Sequence, residues 1–237
     1  MMKELGMTGT LVLAGGEEFG GRMREVDELA LRAAGGVGAV IRVLPTAAAA
    51  DDGHARAGRN ALDWFAALGA TDVAVVPVID RASADDPAVV AALADADLVY
   101  LPGGSPAYLA QALVGSQCAA MLRQRYEAGA VLAGSSAGAM IFGEYVYHPE
   151  TGRTIRGLCT LPNVCIVPHY DRYGQRWIAR LRRTLPDAIL LGIDERTAAL
   201  VSGDLNRQPW SVAGQGCLTV YRGAIAARYV SGAQLRL

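Results

Sequence analysis

Ala130-Val131-Leu132-Ala133-Gly134-Ser135-Ser136-Ala137-Gly138-Ala139 is the stretch whose reading decides the fold. Residues 130–134 are apolar or small, too few for a helix, and read as a buried strand. The small residues after them read as a sharp turn into a helix. Within that turn lies G-x-S-x-G, with Ser136 at its centre. A strand that turns abruptly into a helix holds a serine in a strained backbone conformation, and glycines two before and two after leave room for close chain approach. The helix start then offers free N–H groups to a developing oxyanion, that of Ala137 first. Ser135 is the competing hydroxyl, but it lacks the flanking glycine spacing.

Outward from this turn, short β-rich runs alternate with amphipathic segments of helical length. Residues 10–14, 39–44, 73–78 and 97–101 read as strands, and a glycine-rich turn spans residues 15–21. Residues 24–34, 56–68, 86–95, 106–114 and 117–128 read as helices, with Asp85 or Asp86 capping the third before Pro87. Continuous apolar strands in a βαβα rhythm mean a parallel sheet covered on both faces. Beyond residue 145, residues 163–167 and 189–193 read as strands around a helix at 172–185. Then 197–202, 210–212 and 217–221 follow in quick succession, as an antiparallel extension would. The expected fold is α/β, a three-layer sandwich with a mostly parallel central sheet, helices on both faces and an antiparallel C-terminal extension. No linker or repeat divides the chain, so residues 1–237 read as one domain.

Composition narrows the function. Apolar residues make up 52% of the 237 and charged residues 19%, which excludes disorder. A formal charge of −1 gives no reason to expect nucleic acid or an anionic membrane as partner. Lys3 is the single lysine, a matter of base composition rather than function. Cys118, Cys159, Cys165 and Cys217 form no C-x-x-C pair and read as free thiols. There is no clustered metal-ligand set and no Walker loop, so neither metal nor cofactor is expected. The N-terminal apolar run is too short for a signal peptide, and no stretch approaches the ~20 apolar residues of a membrane span. A cytoplasmic monomer or homodimer is the expectation.

A reactive serine needs a base, usually histidine. Only three histidines exist. His54 sits in a polar loop-like stretch, and His148 in a turn-like segment 12 residues past the serine (148 − 136). His169 directly follows the apolar strand at 163–167, where open α/β sheets carry their sites. The orienting acid should also stand at a strand end. Asp194 and Glu195 close the strand at 189–193, and their side chains diverge if the chain is extended, so one would face His169. The residues themselves favour neither. The expected site is three strand ends meeting at one rim of the sheet.

In these landmarks the chain resembles the aspartyl dipeptidase (peptidase E) and cyanophycinase family of serine peptidases, whose fold is related to class I glutamine amidotransferases. The resemblance rests on Leu101-Pro102-Gly103-Gly104, Gly134–Ala139, Pro168-His169-Tyr170 and Gly192-Ile193-Asp194-Glu195-Arg196-Thr197-Ala198, in that order along nearly the whole chain. It implies a Ser-His-Glu triad of Ser136, His169 and Glu195, with Gly103 or Gly104 as the second oxyanion donor beside Ala137. It implies a small peptide as substrate. The stretch Val167-Pro168-His169-Tyr170-Asp171-Arg172 looks more like the dipeptidases than the cyanophycinases. Ser105-Pro106 stands where relatives carry a more polar pair, and Ser105 and Tyr170 are candidate substrate contacts. An aspartyl substrate needs a cation for its carboxylate, and Arg172 and Arg176, one helical turn apart, are the candidates.

Two other readings share some of these features. An α/β-hydrolase esterase has G-x-S-x-G but orders its triad serine, acid, histidine, and no histidine follows residue 169. A silent amidotransferase-like binding domain would have no use for all three of Ser136, His169 and Glu195.

Overall fold

The computed structural model describes residues 9–205 and 207–237; Lys3 and the first half of the N-terminal stretch read for a leader lie outside the described residues, while the apolar run of that stretch is the first strand. The strands are β1 (Thr10–Ala14), β2 (Val40–Val43), β3 (Asp72–Val75), β4 (Leu98–Leu101), β5 (Val131–Ser135), β6 (Gly143–His148) and β7 (Arg153–Arg156). They continue as β8 (Leu161–Val167), β9 (Ile189–Ile193), β10 (Thr197–Ser202), β11 (Trp210–Gly214), β12 (Cys217–Arg222), β13 (Ile225–Val230) and β14 (Gln234–Leu235). The fold is mixed α/β, as the alternation predicts.

The first sheet runs β14-β11-β10-β1-β5-β4-β2-β3. From β1 to β3 every pairing is parallel, and β10, β11 and β14 extend the sheet antiparallel. Because side chains alternate across a strand, each central strand feeds two cores. Val12, Ile41, Tyr100 and Ala133 point to one face, under the helices Arg24–Ala33 and His54–Ala67. Leu11, Leu13, Val99 and Leu132 point to the other, where they join a cluster containing Leu109, Leu113 and Leu122 of the helices Pro106–Leu113 and Gln117–Glu127. Asp86 is the cap before Pro87, its carboxylate accepting the Ala88 N–H at 2.8 Å.

The antiparallel extension holds for residues 197–202 and 210–214, but β12 leaves it. It pairs with β9 in a second sheet, ordered β13-β12-β9-β8-β6-β7. In that sheet β6, β8 and β9 are parallel. The same apolar cluster that lines the first sheet includes Val146, Val164, Ile166, Leu191 and Leu218 of the second, so one core joins them.

Candidate active site

Ser136 stands where β5 ends, with φ 52° and ψ −116°, a region that side chains rarely adopt. The two flanking glycines permit it. A Cβ on Gly134 would strike the carbonyl of Gly138, and one on Gly138 would strike that of Leu101 on β4. The helix that follows is a single turn, Ala137–Met140, shorter than the sequence suggests. So short a helix has little dipole. What it offers is the unpaired N–H of its first residues, beginning with Ala137.

His169 follows β8 through Pro168 in the left-handed conformation, φ 46° and ψ 41°. Its Nε2 lies 2.9 Å from Ser136 Oγ, and its Nδ1 lies 2.8 Å from Glu195 Oε1. An ionised carboxylate only accepts, so the imidazole proton resides on Nδ1 and Nε2 can accept from the serine hydroxyl.

Asp194 and Glu195 diverge, although the chain is no longer extended there: β9 ends at Ile193 and Glu195 opens the turn to β10. Asp194 Oδ2 turns away to accept the N–H of Cys217 at 2.9 Å, and burial pushes its pKa up. Glu195 turns inward, its side chain 7% exposed. Two neighbours of His169 brace it. The Glu195 N–H donates to Asp171 Oδ1 at 2.9 Å, and Arg172 Nε stands 3.6 Å from Glu195 Oε2, an ion pair longer than a hydrogen bond. Among the described residues no hydrogen-bond donor pairs with that buried oxygen.

The three groups do not share the rim of one sheet. Ser136 ends a strand of the first sheet, His169 a strand of the second, and Glu195 lies where the chain crosses from β9 back to β10. What joins them is the turn after β1. The carbonyl of Ala14 accepts the N–H of Ser136 at 3.0 Å, that of Gly15 the N–H of His169 at 2.8 Å, and that of Gly16 the N–H of Arg196 at 3.4 Å. Three successive carbonyls thus hold the three segments. Gly16, at φ 138°, also lies under the imidazole, and a Cβ there would collide with the ring.

Of the three expected oxyanion donors, one is engaged. The Gly103 N–H donates to Glu18 Oε1 at 2.8 Å, while Ser135 Oγ donates to Glu18 Oε2 at 2.8 Å. A Cβ on Gly103 would stand 3.2 Å from Ser136 Cβ, so the Glu18 carboxylate sits beside the serine. Gly104 and Ala137 line the open cavity at Ser136. Glu18 was not singled out from the sequence, although an acid in a glycine-rich turn after the first strand was a signal.

The candidate substrate contacts fare differently. Ser105 caps the helix Pro106–Leu113, its Oγ accepting the Tyr108 N–H at 3.3 Å. Tyr170 is buried, packs against Gly192 and shares a short hydrogen bond with Tyr221, so its ring does not face the serine. Arg172 serves Glu195, and Arg176 is exposed and outside the cavity lining. The aromatics that do line the site are Tyr173 and Trp177, and Tyr173 stacks on His169 at 4.9 Å and 23°. Tyr173 sits in the π-helical turn Tyr170–Gly174, which opens the segment read as one regular helix and shifts its facing. Among the described residues no three His, Cys, Asp or Glu side chains converge as metal ligands. No helix among them is long and apolar enough to cross a membrane.

Residues 10–208 match peptidase family S51. The chain belongs to that family. The family-level resemblance to peptidase E and the cyanophycinases therefore holds, and this S51 member is a serine-type peptidase. It is 30% identical to the cyanophycinase of Synechococcus elongatus over 228 residues, covering 91% of this chain and 68% of that protein. Its identity to the cyanophycinase of Geminocystis herdmanii (strain PCC 6308) is 27% over 235 residues, covering 94% and 83%. The crystal structure of a peptidase from an acI-B1 actinobacterium superposes on the S51 chain with a TM-score of 0.85 at 26% identity, covering 98% of each.

Proposed function

We propose that this S51 peptidase cleaves short peptides with Ser136 as nucleophile, His169 as general base and then acid, and Glu195 as the orienting carboxylate. The observation that carries the reading is the unbroken line from Ser136 Oγ through both imidazole nitrogens to Glu195, at 2.9 and 2.8 Å. His169 Nε2 takes the hydroxyl proton as Oγ bonds to the peptide carbonyl carbon. The resulting oxyanion rests on the N–H groups of Gly104 and Ala137. As the C–N bond breaks, His169 returns the proton to the leaving amine, leaving an acyl-enzyme that water hydrolyses by the reverse route.

The acyl side is polar. A cavity of about 280 Å³ beside Gly103 is lined by Glu18, Asp51, Arg56 and Asn60, among others. An N-terminal aspartyl or isoaspartyl residue carries both an ammonium and a carboxylate, and finds Glu18 for one and Arg56 for the other. Arg56 thereby takes the part first expected of Arg172 and Arg176. Four free cysteines favour a reducing compartment, the cytoplasm, and a core shared by both sheets favours one domain.

A fluorophosphonate probe tests the chemistry. Covalent labelling of the wild type, absent in Ser136→Ala, is the expected result. A wild type that neither labels nor cleaves aspartyl dipeptides would reduce the site to a binding pocket.

A further inference from the structure

The serine lies between two cavities of opposite character. The second, of about 320 Å³, is walled by Pro106, Met140, Pro149, Pro168, Tyr173 and Trp177 together with Ser136 and His169. Neither a carboxylate nor a guanidinium belongs to its lining. Trp177 packs on Tyr173 at 5.6 Å and on Tyr147 at 4.9 Å, so the two inner rings form a fixed shelf. Tyr173 is nonetheless 40% exposed. An aromatic ring left open beside reacting atoms gains by being covered.

The direction of proton transfer says what covers it. The imidazole that removes the serine proton must deliver it to the leaving nitrogen, so the leaving residue lies on the imidazole's side. Resting on the reading of Ser136 and His169 above, we infer that this cavity receives the residue immediately after the scissile bond and selects it for an aromatic or large aliphatic side chain. The size fits: a cavity of about 150 Å³ admits benzene, so this one admits a phenyl group with part of its backbone. A charged side chain there would be desolvated without a partner. The substrate class is therefore a peptide of mixed character, polar before the cut and apolar after it.

Two measurements test this, the first independently of which acyl group the enzyme accepts. L-phenylalaninamide should slow fluorophosphonate labelling of Ser136 at concentrations where glycinamide and L-argininamide do not. Among aspartyl and isoaspartyl dipeptides, kcat/KM should be about tenfold or more higher with Phe or Leu in second place than with Gly or Arg. Trp177→Ala should collapse both contrasts, and Trp177→Leu, which keeps an apolar wall, should retain the Leu preference while weakening that for Phe. Equal protection by the three amides in a wild type that labels normally overturns the pocket assignment and leaves the hydrolase reading intact. A wild type that does not label overturns both.

Discussion

The two sheets supply the site by different means. The first presents Ser136 through its backbone alone: a strand end, two glycines and a residue of positive φ fix the hydroxyl before any partner arrives. The second presents His169 through its surroundings. Its loop is tied to Gly15, its ring rests on Gly16 and Tyr173, and its Nδ1 is held by a carboxylate that is itself braced by Asp171 and Arg172. The proposed nucleophile is built locally, whereas the proposed base depends on a network. That difference explains why one was legible as a five-residue motif and the other only as a histidine after a strand.

The sharpest way to break this comparison is to ask whether the sheets act as one catalyst. Ser136→Ala and His169→Ala should each lower turnover by about three orders of magnitude, and the double variant should be little worse than either. Losses that add would mean the two groups do not work as a unit. Smaller, but more telling about the seam, is Gly16→Ala. The added Cβ meets the imidazole and the residue is strained at φ 138°, so activity should fall about a hundredfold. Mild losses in thermal stability would then show that alignment, not folding, was damaged; unchanged turnover would remove Gly16 from the positioning apparatus.

The least effect on catalysis is expected at Asp27, which lies in the helical layer of the first sheet alone. Burial, opposed by the hydrogen bond from Trp64 Nε1 and reinforced by the charge of Glu18, pushes its carboxyl from 3.8 up to about 7. Between those values the folded protein holds a proton that the unfolded chain has released. Stability from this group is therefore full below about pH 4 and lost as pH rises through about 7. Asp27→Asn should flatten that decline, so that its melting temperature relative to wild type is higher at pH 8 than at pH 5. An opposite slope in thermal melts at the two pH values would refute the assignment.

The parallel half of the fold was readable because its strands are buried on both faces and its helices carry clear apolar stripes. In the second sheet β8, β9 and β12 were read as strands, but β6, β7 and β13 were not. Residues 143–148 and 153–156 are short and mixed in polarity, and residues 225–230 include no buried position, so nothing local marks them as strands. Sheet membership of β12 depends on pairing with β9, more than twenty residues upstream, which periodicity does not encode. Within the site, the residue types at 136, 169 and 195 were legible; side-chain direction was not. Tyr170 and Tyr173 differ by three positions, yet a π-helical turn sends one into the core and the other to the cavity.

The consecutive carbonyls of Ala14, Gly15 and Gly16 act as a ruler whose marks are one peptide apart. Sequence drift elsewhere in the two sheets can be absorbed by repacking, but adding or removing a single residue in this run would pass a different carbonyl to each segment and scramble the proposed reaction centre at once. Tolerance to insertion should accordingly drop to nothing across these three positions and recover within a few residues on the loop side, a boundary that an insertion scan would trace directly.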